Sequence, residues 1–415
     1  MNEQLVVKNF GPIKDATVDF KRVTVFIGPT GGGKSTLAKL AAVFKEDSYN
    51  FYVNPEHHTD AEGQKHKLFS DFSLTNFIHS SSEATFAKEE SIRGIDFIKG
   101  FVVGAHSFSQ HKTNGELLAE AVRDMTEAKS NLDEFSKSEK QSDADSFKNQ
   151  IDKLINDAKI KIGVISRMTK QGLYDVRPQF FPANRVLLPT VEYSWAGFLR
   201  DDIGLPKDIL RFANNFSLSR KEVPELDIPF LNVKYLHRNG QDFIKVPGLE
   251  TLFRLFETAS GIQSVTPLLV LLEHLSRNTE QAQSFIIEEP ELNLYPTAQQ
   301  GLLNWLVEKC TKGENDLTIT THSPYILSHL NLLLYAFQVA EQHPDRREEV
   351  AAIVPEASWI NPKEFACYQV ENGGVQSLVN DELGMIDNNE LDALSGDAAD
   401  AFDNLIRLSK GIAVK

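Results

Sequence analysis

Gly28-Pro29-Thr30-Gly31-Gly32-Gly33-Lys34-Ser35 places a lysine and a hydroxyl directly behind a run of glycines, in the pattern GxxxxGK[ST]. A loop of this kind wraps a polyphosphate with consecutive backbone N–H groups turned inward. Side chains would block that approach, hence the glycines. Gly28, Thr30, Gly31 and Gly33 supply the backbone cradle, Lys34 reaches the β- and γ-phosphates, and the Ser35 hydroxyl is a ligand for Mg2+. The helix that follows, with Thr36 in its first turn, presents its positive end to the same phosphates. About one per cent of chains this long would match by chance at ordinary residue frequencies. The apolar strand ahead of the loop and the helix former behind it lower that figure further.

A second group of residues is acidic. Ser284-Phe285-Ile286-Ile287 is an apolar strand running into Glu288-Glu289-Pro290-Glu291. In a nucleotide hydrolase the strand beside the phosphate-loop strand is expected to end in an acid that holds Mg2+, and the next residue to act as base or to position water. Glu288 and Glu289 fit those roles in that order. Glu291 is expected to serve the loop or a partner subunit. Upstream, Thr258-Ala259-Ser260-Gly261-Ile262-Gln263-Ser264 sets the Ser260 hydroxyl, Gly261 and the Gln263 amide at a helix N-terminus, an anion-binding arrangement. Downstream, the strand Leu317–Thr321 leads into His322-Ser323-Pro324. Ser323 reads as a helix N-cap and Pro324 as the first helical residue, which pins His322 on a strand-to-helix turn within reach of a γ-phosphate. Each feature alone is ordinary, since a Ser-Gly before a helix is usually a cap and a turn histidine is usually structural. Their order along one chain is what carries the reading.

The elements that must position these residues follow from periodicity. Leu5–Val7, Ala16–Phe20 and Val23–Ile27 read as strands, with a turn at Asn9-Phe10-Gly11-Pro12, and Thr36–Phe44 reads as a helix. Residues 45–110 give no clear element order. From 112 to 161 charge of both signs is dense, proline is absent, and Ile151, Leu154, Ile155 and Ala158 recur at helical spacing. This is a helical insertion: either a coiled-coil-like hairpin broken near 142–146, or a single solvated helix. Strand texture returns over 175–189, and residues 190–250 read as a lobe of short elements. An α/β core closes the chain: helix 262–276, strand 284–287, helix 297–309, strand 317–321, helix 324–333. Ala398–Leu408 reads as a closing amphipathic helix with Ala401, Phe402, Leu405 and Ile406 on one face. The expected division is therefore 1–110 (core with the phosphate loop), 111–168 (insertion), 169–255 (core and accessory lobe) and 256–415 (core with signature, carboxylates and histidine).

Composition narrows the function classes. With 41% hydrophobic and 24% charged residues among 415 the chain is of ordinary globular type. It has no apolar run long enough for a membrane span and no basic, apolar leader, so a soluble cytoplasmic protein is expected. Cys310 and Cys367 stand far apart without a CxxC partner, which disfavours a disulfide framework and a thiolate zinc site. The net charge of -15 disfavours non-specific duplex binding, which is driven by phosphate neutralisation. His57, His58 and His66 lack a carboxylate frame and read as a polar loop, and the acidic C-terminal stretch as a solvated face.

Taken in order, these residues resemble the ABC-type ATPase domain of the SMC/RecF/OLD branch of P-loop proteins. The resemblance rests on the Asn9–Pro12 start, Walker A at Gly28–Ser35, a signature at Ser260–Gln263, and Walker B with its catalytic glutamate at Ile286–Glu289. The Glu289–Pro296 run and a switch histidine, His322, complete it. It covers about residues 1–45 and 255–330. Phe181-Pro182-Ala183-Asn184-Arg185 also looks like the Pro-Ala-x-Arg strand of this branch. Two departures stand out: the usual Walker B aspartate is Glu288, and the usual Leu-Ser-Gly-Gly-Gln signature is Ala-Ser-Gly-Ile-Gln. The resemblance implies an α/β core with a mixed sheet flanked by helices, ATP and Mg2+ as ligands, and ATP hydrolysis. It also implies a homodimer in which each nucleotide is sandwiched between the phosphate loop of one subunit and the signature of the other, with higher homo-oligomers built on it. A transporter is disfavoured by the missing membrane span. Among the remaining readings, the compact build looks like the stand-alone ATPases of Septu- and PARIS-type anti-phage systems, which control a separate toxin or nuclease. The alternative is a RecF-like repair ATPase that clamps DNA. A fused TOPRIM nuclease is disfavoured, because the Asp-x-Asp at Asp143-Ala144-Asp145 lies in the insertion and none follows His322.

Overall fold

The computed structural model describes residues 3–53, 69–78, 81–88, 91–98, 101–108, 177–191, 205–277, 282–387 and 390–410. The helical insertion expected over 111–168, the histidines at 57, 58 and 66, and Asp143–Asp145 lie outside these residues.

The chain opens as a hairpin of β1 (Glu3–Phe10) and β2 (Ile13–Phe20), with Asn9 and Gly11 at positive φ in the turn. β3 (Val23–Ile27) then feeds the phosphate loop into α1 (Lys34–Val53). This helix runs well past the expected end at Phe44. In the stretch that showed no clear pattern, β4 (Glu83–Lys88), β5 (Ser91–Ile98) and β6 (Phe101–Phe108) extend the hairpin into an antiparallel sheet ordered β2-β1-β4-β5-β6.

The central sheet gathers strands from distant parts of the chain: β7 (Arg177–Phe181), β12 (Gln283–Glu288), β13 (Asp316–Thr320), β14 (Phe365–Glu371) and β15 (Gly374–Ser377). Its order is β15-β14-β3-β13-β12-β7. All neighbours are parallel except the β14–β15 edge pair. Strands buried on both faces need continuous apolar runs, and β3, β12 and β13 are buried throughout. Their alternate residues serve two cores: Phe285 and Ile287 face one, Ile286 the other. The first core is closed by α2 (Lys207–Glu222), α3 (Ser260–Ser276), α4 (Pro296–Cys310) and α5 (Pro324–Gln342). The second is closed by α1 and the antiparallel sheet. The lobe of short elements expected over 190–250 is not what forms: Lys207–Glu222 is the long helix α2, and Glu225–Ile228, Val233–Arg238, Gln241–Lys245 and Leu252–Arg254 (β8–β11) make a sheet ordered β11-β10-β9-β8 that packs into the first core.

Three further expectations are corrected. The carboxylate strand β12 does not lie beside the phosphate-loop strand β3: β13 separates them, because β13 pairs with both. Helix α5 continues past residue 333 to Gln342 because its apolar face repeats through Ala340, and Pro344 ends it. The C-terminal helix α6 (Glu390–Ser409) forms but does not close a core, since residues 400–410 are exposed along their whole length. Among the described residues, no helix is long and apolar enough to cross a membrane.

Candidate active site

Parallel strands end at one edge, so topology alone brings the phosphate loop after β3, the carboxylates after β12, the histidine turn after β13 and the turn after β7 together. Gly28, Gly31 and Gly33 hold φ of +137°, +81° and +111°, conformations that glycine adopts without strain. Thr30 is exposed at the loop tip, and Thr36 is buried in the first turn of α1. Lys34 is buried, and its Nζ donates to the carbonyls of Gly28 (2.8 Å) and Pro29 (3.0 Å). Burial pulls its pKa down, opposed by the charges of Glu289, Glu291 and Glu288.

Glu288 is 5% exposed. Burial raises its pKa, opposed by the charge of Lys39, the Ser35 hydroxyl against its carboxylate and the Ala183 amide. That amide donates to Oε2 at 3.2 Å, while Oε1 is buried without a hydrogen-bond partner. A buried carboxylate oxygen left bare beside a serine hydroxyl is a pair of hard oxygen donors, and this donor set fits Mg2+. Glu289 is turned the other way. Its backbone is left-handed, with φ +42°, and its N–H donates to the Thr320 carbonyl at 3.0 Å. His322 Nε2 lies 3.1 Å from Glu289 Oε1. That hydrogen bond, acting against burial and aided by nearby positive charge, holds the Glu289 carboxyl below the usual carboxylate range.

The histidine turn is built from beneath by Glu291. Its Oε1 accepts from the Thr321 hydroxyl (2.5 Å) and from the His322 backbone N–H (3.2 Å), so the third carboxylate serves the loop. Burial pushes its pKa up. Ser323 occupies the N-cap position and Pro324 begins the helix, both as expected, but the Ser323 hydroxyl does not cap the helix and donates instead to Gln299 Oε1 at 2.5 Å.

Arg185 is fully buried behind the carboxylates, a placement that the Pro-Ala-x-Arg pattern flagged without a role. The motif sits in a 3-10 turn, Ala183–Leu187, after β7 and not in a strand. The signature residues stand apart from the loop. Ser260 is exposed at the start of α3 and Gly261 is buried there. The Gln263 amide donates to the carbonyls of Thr258 (2.6 Å) and Phe256 (3.1 Å) of its own loop. Among the described residues, no hydrogen bond or ion pair joins Ser260, Gly261 or Gln263 to residues 28–35. The structure thus brings together Lys34, Ser35, Glu288, Glu289 and His322, whereas Ser260, Gly261 and Gln263 begin a helix packed against the turn after the carboxylates, Gly261 meeting Asn293 and Leu294. Strand β14 and Gly32 went unremarked in sequence, yet the Val370 carbonyl of β14 lies where a side chain on Gly32 would have to go.

With that geometry in place, comparison with known proteins decides the family. A family model described as "AAA domain, putative AbiEii toxin, Type IV TA system" matches residues 23–328. The chain belongs to this AAA-domain family. Its central sheet is mixed, with helices packed on both faces. Similar solved structures include the SMC head domain from Thermotoga maritima, with 10% identity, a TM-score of 0.37, and coverage of 91% of this chain and 98% of that one. The recombination mediator protein RecF, as RecF-ATPrS in the RecFOR pathway, has 11% identity and a TM-score of 0.32, with 91% and 98% covered. No curated protein matches the chain in sequence.

Proposed function

We propose that this AAA domain binds ATP with Mg2+, hydrolyses it at an interface between two copies of the chain, and uses the resulting association to control a separate effector, a toxin or nuclease, in anti-phage defence. The observation that supports the reading is the pairing of Glu289 with His322 beside Lys34, while among the described residues no hydrogen bond or ion pair joins Ser260 or Gly261 to the phosphate loop. In this reading one chain supplies a hydrolytic half-site and, at the start of α3, the anion-binding helix N-terminus that completes the half-site of a second copy.

The residues divide the work. Gly28, Thr30, Gly31, Gly33 and Thr36 frame the phosphates, and Lys34 exchanges its two loop carbonyls for β- and γ-phosphate oxygens. Ser35 and Glu288 would hold Mg2+, which when bound neutralises charge on the β- and γ-oxygens. Glu289 stays ionised through its bond to His322, so it orients the attacking water and accepts its proton. His322, on the turn fixed by Glu291, reports the γ-phosphate. Ser260, Gly261 and Gln263 of the second copy cap that phosphate. The toxin–antitoxin label of the family supports an effector partner, and the net charge of -15 weighs against a DNA clamp.

Native mass measurement of Glu289→Gln with and without Mg-ATP tests this. We expect ATP to be retained, turnover to fall at least about 100-fold, and a dimer to accumulate; normal turnover would remove Glu289 from the mechanism. Ser260→Arg is expected to abolish turnover while a single chain still binds ATP within about threefold, a factor worth roughly 0.7 kcal/mol. A second protein co-purifying with the chain supports effector control. Turnover stimulated about tenfold or more by duplex DNA, a barrier change of roughly 1.4 kcal/mol, would favour the RecF-like alternative.

A further inference from the structure

Arg185 is 0% exposed, a costly place for a cation. Its guanidinium has five N–H groups, and carbonyl oxygens take all its contacts. Nε donates to Ser264 at 3.2 Å, Nη1 to Glu288 (2.7 Å) and Pro182 (3.1 Å), and Nη2 to Glu289 (2.7 Å) and Pro290 (3.2 Å). Burial pushes its pKa down to about 10, opposed by the charges of Glu291, Glu288 and Glu289, so it stays protonated at neutral pH.

Three elements meet on this one side chain: the turn after β7, the carboxylate turn after β12, and the first turns of α3, which begins at Ser260. The last two also touch directly, because a Cβ on Gly261 would come within 2.6 Å of the Asn293 carbonyl and 3.0 Å of Leu294. The left-handed backbone of Glu289 is strained for a residue other than glycine and persists only where its surroundings over-determine it. Thr320 holds its N–H and Arg185 holds its C=O.

We propose that Arg185 is a positioning residue that locks the carboxylate turn and the Ser260 helix into one body, so that the state of one nucleotide pocket is passed to the surface that caps the other. The coupling rests on the two-chain reading of the site. A lysine has three N–H groups on a point charge and cannot reproduce a planar five-carbonyl fork, so Arg185→Lys keeps the charge and breaks the clamp.

The test uses Arg185→Lys and Arg185→Gln, each checked by thermal melting, with nucleotide binding and turnover measured separately. Native mass with Mg-ATP then compares Glu289→Gln with the Arg185→Lys/Glu289→Gln double variant. We expect Arg185→Lys to bind ATP within about threefold of the parent chain and to turn over at least about 100-fold more slowly, a loss in kcat and not in KM. The double variant should form at least tenfold less dimer than Glu289→Gln alone. Equal dimer in both overturns the coupling, and so does turnover at the parent rate. Loss of ATP binding or of the fold in both Arg185 variants reduces the residue to a structural role and also overturns it. A Glu289→Gln chain that binds ATP and never dimerises defeats the two-chain reading itself, and the coupling with it.

Discussion

Gly32 sits in the middle of the motif, where the pattern tolerates any residue, yet it is closed to substitution from outside the loop. A Cβ there would lie 2.6 Å from the Val370 carbonyl and 3.1 Å from that of Pro29. Both obstacles are backbone, so the loop itself would have to move. Neighbouring Gly31 has no atom within 4 Å of the same position and is limited only by its φ of +81°. Gly32→Ala should therefore weaken ATP binding at least about tenfold, or 1.4 kcal/mol. Gly31→Ala should cost about 1 kcal/mol, the strain of a left-handed non-glycine residue. Titration with a fluorescent ATP analogue separates the two, and equal losses would mean that Val370 does not constrain the loop. The contrast marks what residue types alone convey. Lys34, Ser35, Glu288, Glu289 and His322 were singled out by side-chain type and spacing, and their side chains lie near one another in the fold. Gly32, the Ala183 amide and the Arg185 clamp act on or through backbone, and only the packed sheet shows where those groups lie.

Among the elements, strands buried on both faces were the most readable, because Phe285-Ile286-Ile287 is a short apolar run and Leu317-Thr318-Ile319-Thr320 is rich in β-branched residues, each with punctuated ends. Their order was not readable. That β13 lies between β12 and β3 follows from its pairing with β3, nearly three hundred residues away in sequence, which no local period encodes. Strand β14 escaped for the same reason, since its place beside β3 is its whole role at the site. Helix α6 shows the opposite failure. Its pattern correctly indicated an amphipathic helix, but Phe402 and Leu405 are each 64% exposed, so an apolar face did not imply a buried one. Replacing both by alanine should shift the melting temperature by less than about 2 °C, as expected where nothing is packed. Leu303→Ala on α4, fully buried, should cost about 2–5 kcal/mol and lower melting by at least about 5 °C. If the α6 pair proved as costly, the helix would be packed against something in solution.

At the scale of the whole molecule, the end opposite the nucleotide is pinned by one buried cation. Lys45 of α1 is 3% exposed and reaches Glu3 Oε2 of β1 (2.9 Å), Asp316 Oδ1 and Oδ2 of β13 (3.0 and 3.1 Å) and Ser284 Oγ of β12 (2.9 Å). Both sheets and the helix between them thus converge on a single ammonium. Burial opposes its charge, yet Asp316 and Glu3 hold its pKa above the ordinary value, while burial raises that of Asp316 against the pull of Lys45. Lys45→Met removes the cation and strands the carboxylates, a change that typically costs about 3–5 kcal/mol. The pH dependence has a definite sign. Without Lys45 the Asp316 carboxyl moves further up, so the folded state binds a proton that the unfolded state, titrating near 3.9, releases. Stability is then present at low pH and lost as pH rises through the folded-state value. Denaturant melts should accordingly show Lys45→Met losing more at pH 7 than at pH 5, relative to the parent chain at each pH. Ser284 and Asp316 lie at the starts of strands whose far ends carry Glu288 and Thr320. ATP affinity of the folded variant should therefore stay within about threefold, or 0.7 kcal/mol. A variant equally stable at both pH values would show that the carboxylates find other partners and that the two sheets do not depend on this contact.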